Sequence, residues 1–222
     1  AWTSTPAGAE DHNVAVQAGV TLSCRFFPAE FGDPMILFFY GNGETATDYD
    51  SIAPLYNQVG VNFFVADYRG YGRSGGKPAF TTMLSDAHKV LEALGMTLKS
   101  GGYAGPVFVM GRSMGRHAAF ELAANSNDAV KGLIIESGRA SLGQFANGID
   151  PSLAETLKAE YLDKVRSITM PVLVIHGEVD TLAPVEGAME MYDDFVSDQK
   201  RLVIIPGAGH NDLLHRGIEE YF

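Results

Sequence analysis

The stretch of sequence that decides the fold is Pro106-Val107-Phe108-Val109-Met110-Gly111-Arg112-Ser113-Met114-Gly115. The apolar residues before Gly111 favour a strand, and the alanine-rich residues 118–124 favour a helix. A serine between two glycines at such a junction fits a sharp strand-to-helix turn, which exposes its hydroxyl above a sheet. The stretch predicts Ser113 as a nucleophile, and a structural turn serine is the alternative.

A second stretch, Gly72-Arg73-Ser74-Gly75-Gly76, matches the same G-x-S-x-G pattern. Its surroundings differ, because glycine-punctuated residues 67–71 precede it and Lys77-Pro78 follows it. No strand enters this stretch directly and no helix leaves it. We therefore interpret Ser74 as a structural residue.

Composition limits the class of protein. The chain has 222 residues, 46% of them hydrophobic, which suits one sizeable core and predicts a single domain over residues 1–222. No apolar run approaches the roughly 20 residues that a membrane-spanning helix needs. The formal net charge of -11 argues against a nucleic-acid or anionic-membrane partner, because phosphate binding relies on clustered Lys and Arg.

The termini and the cysteine content give further expectations. Residues 1–6 have neither a basic start nor an apolar segment, so they predict no signal peptide and a cytoplasmic protein. The single cysteine, Cys24, excludes an internal disulfide and suits a buried strand position. No two histidines have the spacing with a carboxylate that a zinc site needs, so the sequence predicts no metal. The oligomeric state stays open.

Strand-like and helix-like runs alternate along the chain. Several of the strand-like runs are apolar throughout, which is typical of a parallel sheet covered on both faces. The alternation predicts a doubly wound, mostly parallel α/β sheet with helices on both faces, preceded by an antiparallel hairpin over residues 13–27. The predicted strands cover residues 35–40, 61–66, 107–110, 130–135, 172–175 and 202–205, and the predicted helices cover 49–59, 82–98, 114–124, 185–196 and 212–222.

Two later strands end in residues that could activate Ser113. His176-Gly177-Glu178-Val179-Asp180 follows one, and Pro206-Gly207-Ala208-Gly209-His210 follows another. Ligands collect at the carboxyl ends of such strands, so both loops should open beside Ser113. A serine hydroxyl needs a base, and the base needs an acid behind it. The order Ser113, Asp180, His210 is the order expected when these roles sit on successive strand ends.

With these motifs the chain resembles the α/β-hydrolase superfamily, from about residue 35 to residue 214. The forms Asp67-Tyr68-Arg69-Gly70-Tyr71-Gly72 and Gly209-His210-Asn211-Asp212 are most similar to the compact, nearly lidless serine hydrolases of the Bem and ABHD types. The resemblance implies Ser113 as nucleophile, Asp180 as acid and His210 as base, with no cofactor. Glu178 is the alternative acid.

The same resemblance implies an oxyanion hole. It places one N–H donor on Met114 and the second on Asn42, with Gly41 and Gly43 as substitutes. Many members carry His where this chain has Tyr40, so Tyr40 should change the hydrogen bonds that support this loop. Tyr40, Gly41 and Gly43 are also candidate substrate-binding residues.

Two arginines, Arg112 and Arg116, flank the predicted turn. One interpretation is ion pairing with nearby acids such as Glu136. We interpret Glu136 as structural, and a residue that contacts the substrate or supports one that does is the alternative. The other interpretation of the arginines is that Arg112 or Arg116 binds a carboxylate of the substrate, because cations beside a nucleophile are unusual in an acidic protein.

Residues 138–167 have room for only a small flap, with one helix predicted over 153–165. An accessible site of this kind suits small or short-chain acyl groups. We therefore predict a carboxylesterase that cleaves a small-molecule acyl substrate through an acyl-enzyme. A peptidase, an amidase, a thioesterase and a non-catalytic binding protein with the same fold remain alternatives.

Overall fold

The computed structural model describes residues 4–222, apart from the side chain of Gln144. The prediction of no signal peptide concerns residues 1–6, of which residues 1–3 lie outside the described part. Eight strands form one sheet, in the spatial order β1-β2-β4-β3-β5-β6-β7-β8. In chain order they are β1 Glu10–Gln17, β2 Val20–Phe27, β3 Met35–Phe39, β4 Asn62–Ala66, β5 Val107–Arg112, β6 Leu133–Glu136, β7 Val172–Gly177 and β8 Lys200–Ile205.

Strands β3 to β8 pair in parallel, while β1 and β2 form an antiparallel hairpin whose second strand pairs with β4. Every residue of β3 and β4 is buried, which explains why both strands are apolar except at Asn62, the first residue of β4. The doubly wound, mostly parallel α/β fold is therefore confirmed. The predicted hairpin is also confirmed, with Gly19 at its turn at a φ of 74°.

Helices connect the strands. They are α1 Ala53–Gln58, α2 Phe80–Gly101, α3 Arg116–Asn125, α4 Pro151–Arg166, α5 Val185–Asp194, α6 Leu213–Arg216 and α7 Ile218–Tyr221, with 3-10 turns at Ala46–Tyr49, Ser113–Gly115 and Gly143–Ala146. Among these helices none is long and apolar enough to cross a membrane.

Two predicted helices are wrong in their continuity. Residues 49–59 do not form one helix, because a capping box between Thr45 and Asp48 holds a separate 3-10 turn and α1 starts afresh with Pro54 in its first turn. The terminal helix breaks at Gly217, whose φ of -147° and ψ of 61° are not helical. Glycine is a weak helix former, so the break costs little.

Residues 138–167 contain the 3-10 turn Gly143–Ala146 and helix α4. The side chain of Asp150 accepts hydrogen bonds from the N–H groups of Ser152 and Leu153, and Pro151 occupies the first helical position. Both features start a helix at this point, two residues before the predicted start. Only Tyr161 and Val165 of α4 are buried, and Tyr161 contacts His117 and Phe120, so α4 packs against helix α3 through its last turns.

Candidate active site

The turn between β5 and α3, which we call the elbow, is tight. Ser113 has a φ of 50°, a left-handed conformation that a non-glycine residue adopts at a cost. Gly115 must lack a side chain here, because a Cβ atom would lie 1.9 Å from the carbonyl oxygen of Phe39. Ser137 is the other described non-glycine residue with positive φ, and it lines the same cavity as Ser113. Strained backbone of this kind clusters at functional sites.

Two distant loops bring a histidine and an acid to Ser113. The Nε2 atom of His210 lies 3.0 Å from the Oγ atom of Ser113, and its Nδ1 atom lies 2.7 Å from Oδ2 of Asp180. Because an ionised carboxylate only accepts hydrogen bonds, His210 carries its proton on Nδ1, and Nε2 is left to accept from the serine hydroxyl. The structure therefore brings the three predicted residues into one hydrogen-bonded chain.

The carboxylate of Asp180 is buried and held on both oxygens. Its Oδ1 atom accepts the N–H groups of Leu182 at 2.9 Å and Ala183 at 2.8 Å. Burial raises the pKa of Asp180, but the bonds from His210, Ala183 and Leu182 outweigh burial and leave the pKa below its usual value. Asp180 is thus kept ionised behind His210.

The rival acid and the second serine have other partners. The Oε2 atom of Glu178 accepts the N–H of Gly207 at 2.8 Å. Ser74 donates its hydroxyl to Oδ2 of Asp67 at 2.8 Å and accepts the N–H of Ser23 at 2.8 Å. Neither Glu178 nor Ser74 has a described hydrogen bond to a histidine.

The backbone N–H groups of Met114 and Asn42 are the two donors that the sequence predicts for an oxyanion hole. Met114 is in the first turn of a short helix, where N–H groups have no intrahelical acceptor. Asn42 lines the cavity with Ser113, and its N–H has no acceptor among the described residues. The Asn42 side chain is fixed by the hydroxyl of Tyr71, which donates to its Oδ1 at 2.7 Å.

The predicted substitutes Gly41 and Gly43 have other surroundings. The Gly41 N–H donates to Oε2 of Glu44 at 2.9 Å, which occupies the group that an oxyanion would need. Gly41 also permits close packing, because a Cβ there would lie 2.8 Å from Nη1 of Arg112 and 3.3 Å from Cβ of Ser113. Gly43 lies at a φ of 84° and lines a different cavity from the one that contains Ser113.

Tyr40 holds the loop that carries Asn42 in place, and its buried position does not fit the prediction of a substrate-binding residue. It is fully buried, its hydroxyl donates to Oδ1 of Asp67, and its carbonyl accepts the hydroxyl of Tyr68 at 2.8 Å. Tyr40 lines neither cavity beside the elbow. The loop that carries Asn42 is thus tied to Asp67 through a phenol.

Arg112 fits the ion-pair interpretation and not substrate binding. Its guanidinium is almost fully buried and donates to Glu44, to Oε1 of Glu136 at 3.0 Å, to the carbonyl of His210 at 3.0 Å and to Oδ1 of Asn211 at 2.6 Å. These contacts tie the elbow to the loop that carries His210. The structural interpretation of Glu136 fits its contacts, since this buried carboxylate also accepts the hydroxyl of Tyr221.

Arg116 ties the elbow to the segment after β6. It donates to three carbonyls, those of Ser113 at 2.6 Å, Arg139 at 2.8 Å and Ser141 at 2.8 Å. No carboxylate within residues 4–222 forms an ion pair with it. Burial lowers the pKa of Arg116 and outweighs the opposing effect of Tyr161, and the charge of Arg139 adds a lesser lowering effect.

Two cavities meet at the elbow, and both are lined by Asn42, Met114 and Phe145. The first, which we call the apolar cavity, has a volume of about 230 Å³. The second, which we call the cationic cavity, has a volume of about 250 Å³ and contains Ser113 and His210. Side chains that line only the apolar cavity include Phe39, Tyr68, Met83 and Val90, and those that line only the cationic cavity include Arg116, His117, Arg139 and Leu182.

A family comparison bears on this arrangement. The family model Hydrolase_4, "Serine aminopeptidase, S33", matches residues 33–159 and 156–215. The chain belongs to this family. It is therefore a hydrolase-family member within the α/β-hydrolase superfamily, which confirms the resemblance drawn from its motifs.

Individual relatives agree with the assignment to the α/β-hydrolase superfamily. Monoacylglycerol lipase of Mycolicibacterium smegmatis is 26% identical and covers 90% of this chain and 89% of its own length. Protein bem46 of Schizosaccharomyces pombe is 28% identical and covers 81% of this chain and 62% of its own length. The structure of Est1E from Butyrivibrio proteoclasticus with ferulic acid bound superposes with a TM-score of 0.77, at 20% identity, over 95% of this chain and 97% of that one. Est1E shares the fold.

The sequence patterns did not indicate several side chains of this candidate site. Arg139 follows the end of β6 by three residues, so its place on the productive edge of the sheet was a usable signal. His117 of helix α3 is buried with its Nδ1 atom 2.8 Å from the hydroxyl of Tyr161 and lines the cationic cavity. Glu44 binds both Gly41 and Arg112, and no local pattern indicated that. Within residues 4–222, no three His, Cys, Asp or Glu side chains come together as a metal site.

Proposed function

We propose that this protein is a serine hydrolase, and specifically a carboxylesterase that cleaves short-chain acyl esters through an acyl-enzyme on Ser113. The observation that carries the proposal is the chain of hydrogen bonds at 3.0 Å from Ser113 to His210 and 2.7 Å from His210 to Asp180. It is centred on a residue held at positive φ at the end of β5. A nucleophile, a base and an orienting acid in this geometry are the requirements for nucleophilic acyl transfer.

The mechanism follows from these contacts. His210 takes the Ser113 proton on Nε2 while Oγ attacks the ester carbonyl, and Asp180 stabilises the imidazolium that forms. The N–H groups of Met114 and Asn42 stabilise the negative charge on the carbonyl oxygen. The imidazolium then protonates the leaving alcohol, and water enters by the same steps to release the acid and free Ser113.

The cavities support an ester with a short acyl group. The apolar cavity, at about 230 Å³, is smaller than the roughly 300–1,000 Å³ that is typical of pockets for drug-sized ligands. Residues 138–167 form a small flap within a single domain, which leaves little apolar surface to bury a long chain. Monoacylglycerol lipase of Mycolicibacterium smegmatis, a relative at 26% identity, acts on a carboxylic ester according to its name.

The aminopeptidase activity in the family's name has less support. An aminopeptidase must bind the ammonium group of its substrate, and carboxylates provide that binding. No Asp or Glu stands among the described residues that line the cationic cavity. The apolar cavity has Asp67 and Asp86, but Asp67 is bound by Tyr40 and Ser74, and Asp86 is bound by Arg69 at 2.6 Å.

A fluorophosphonate probe tests the proposal, because it reacts with activated serines. We expect one adduct on the native protein, located to Ser113 by peptide mass spectrometry and lost on heat denaturation. Nitrophenyl esters of increasing acyl length should then show a higher kcat/KM for C2 to C6 than for C12. Absence of the Ser113 adduct together with absence of ester turnover would favour a non-catalytic binding protein.

A further inference from the structure

The two cavities at the elbow differ in which catalytic groups they contain. His210 lines the cationic cavity and not the apolar cavity. Under the proposed function, His210 must protonate the oxygen of the leaving group, so that oxygen must lie within hydrogen-bond reach of Nε2. The alcohol half of the ester therefore belongs in the cationic cavity. The acyl half is left with the apolar cavity, which the oxyanion donors Met114 and Asn42 border.

The cationic cavity carries positive charge that the protein does not neutralise. Arg116 and Arg139 both line it, and no acidic residue does so in the described chain. This is unexpected in a protein whose formal net charge is -11. A buried charge without an opposite charge nearby is unfavourable. An anion in this cavity would therefore interact more favourably with the two arginines than it would with an arginine in water.

The two arginines are not equivalent. Arg116 is fixed, because its guanidinium already donates to the carbonyls of Ser113, Arg139 and Ser141. Arg139 is half-buried, and its guanidinium has no hydrogen bond or ion pair within residues 4–222. It borders a neighbouring surface cavity that also holds Glu190 and Asp194, but Asp194 already accepts from Arg166 at 2.8 Å. Arg139 is thus the side chain available to a ligand.

We propose that the cationic cavity binds an anionic group, a carboxylate or a phosphate, on the alcohol half of the ester, with Arg139 as its direct ligand. A guanidinium presents paired N–H donors that match both anions. Arg116 contributes its fixed charge and holds the segment that carries Arg139. The substrate class is a short-chain acyl ester of a hydroxy acid or of a phosphorylated alcohol. This inference rests on the proposed serine hydrolase.

The chemical step balances without a further reactant. The bond between Oγ of Ser113 and the acyl carbon forms as the bond from that carbon to the alcohol oxygen breaks. The serine proton passes through Nε2 of His210 to the departing oxygen. Hydrolysis of the acyl-enzyme consumes one water and releases the short-chain acid, while the anionic alcohol leaves from the cationic cavity.

Matched esters test the specificity. We would compare 4-(butanoyloxy)benzoate and 4-(butanoyloxy)phenyl phosphate with the neutral 4-(butanoyloxy)benzamide, on the wild-type protein and on Arg139→Met. The wild type should prefer the anions, and Arg139→Met should lower the anion-to-amide ratio of kcat/KM by about 10- to 100-fold. The two anionic arms show whether carboxylate or phosphate is favoured. Because each ratio is compared between variants, differences in leaving-group reactivity cancel.

Two control variants separate recognition from structure. Arg139→Lys keeps the charge but loses the paired donors, so we expect an intermediate ratio. Arg201→Met removes an exposed arginine of β8 that lines neither cavity, and we expect the wild-type ratio. An unchanged ratio in Arg139→Met would overturn the proposal. That result would leave Arg139 with a structural role, seen as an effect on thermal stability alone.

A binding experiment distinguishes failure of this inference from failure of the proposed function. The non-hydrolysable amides 4-(butanoylamino)benzoate and 4-(butanoylamino)benzamide would be titrated into Ser113→Ala by calorimetry. Tighter binding of the benzoate that disappears in the Ser113→Ala, Arg139→Met double variant supports the anion site even if no ester is cleaved. Equal binding of both amides sinks the anion site, even if Ser113 reacts with fluorophosphonate.

Discussion

Ser113 and Ser74 occupy the same five-residue pattern in one chain, and their surroundings differ completely. Both follow a Gly-Arg pair. The hydroxyl of Ser113 meets an imidazole backed by an ionised carboxylate, whereas the hydroxyl of Ser74 meets a carboxylate directly. A carboxylate with no histidine in front of it cannot shuttle the proton of an attacking serine at neutral pH in the way that a histidine does. Partners from distant strand ends therefore decide whether a serine in this pattern is a nucleophile or a structural residue.

Replacing each serine by alanine should give the largest difference in activity between the two sites. We expect Ser113→Ala to lower kcat by about 10⁶-fold, because the base and the oxyanion donors lose the nucleophile on which they act. Ser74→Ala should keep kcat/KM within a few-fold of wild type, because no group of the elbow contacts Ser74. It should lower the free energy of unfolding by about 1 to 2 kcal/mol, since Ser74 links Asp67 to the N–H of Ser23.

The measurements are steady-state kinetics on nitrophenyl butyrate and urea unfolding of both variants. Wild-type circular dichroism of Ser113→Ala is the control that its loss of activity is chemical. A loss of activity in Ser74→Ala as large as that in Ser113→Ala would refute the assignment of the nucleophile.

The carboxylates behind the two serines give the second test. Asp180→Asn should lower kcat by about 10⁴-fold, because an amide favours the wrong tautomer of His210. Asp67→Asn should lower kcat by about 10-fold or less, because Asp67 acts only through Tyr40 on the loop that carries Asn42. The NH₂ group of the new amide would also meet the hydroxyl of Tyr40 or of Ser74, each of which donates to Asp67 in the wild type, so one of these hydrogen bonds would be lost. We therefore expect Asp67→Asn to be less stable by about 1 to 3 kcal/mol. Both enzymes should be assayed at saturating ester, and similar kcat values for the two variants would contradict the distinction.

Much of this site could be predicted, because the information is local. The elbow needs small residues at fixed positions, and the acid and the base follow strands whose apolar runs are conspicuous, the buried β7 and the half-buried edge strand β8. Parallel strands must deliver their carboxyl ends to one edge, so Ser113, Asp180 and His210 could be brought together without coordinates. The same reasoning gave the doubly wound sheet and its hairpin.

The remainder depends on contacts that no local pattern encodes. From the sequence alone Arg112 is a candidate for substrate binding. In the structure its Nη1 atom donates to Glu44, which lies 68 residues away in the chain. Arg139 belongs to no sequence motif, and its position three residues after β6 indicates only the edge of the sheet on which it lies. The shape of the cavity places it near Ser113. The predictions of continuous helices over 49–59 and 212–222 were wrong for a related reason. A capping box holds a separate 3-10 turn at the start of the first stretch and a glycine interrupts the second, and helix propensity averaged over a window does not detect such local features.

The two acids should also differ in how they affect the stability of the fold as the pH changes, and this is the smallest of the expected effects. The pKa of Asp180 is lowered, so its ionised form stabilises the folded state above the unfolded value of about 3.9, and this contribution is lost as pH falls through the folded pKa. Burial raises the pKa of Asp67, and the hydrogen bonds from Tyr40 and Ser74 offset it only in part. Its contribution is therefore present below about 3.9 and is lost as pH rises through the folded pKa.

The two asparagine variants should consequently diverge in opposite directions as the solution is acidified. From pH 6 to pH 3.5, the stability difference between wild type and Asp180→Asn should narrow, and the difference between wild type and Asp67→Asn should widen. Each unit by which a folded pKa departs from the unfolded one sets a limit of about 1.4 kcal/mol on the change. Urea unfolding at several pH values measures both differences against the same wild type, so other titrating groups cancel. Parallel changes in the two variants would mean that the acids behind Ser113 and Ser74 have the same electrostatic environment.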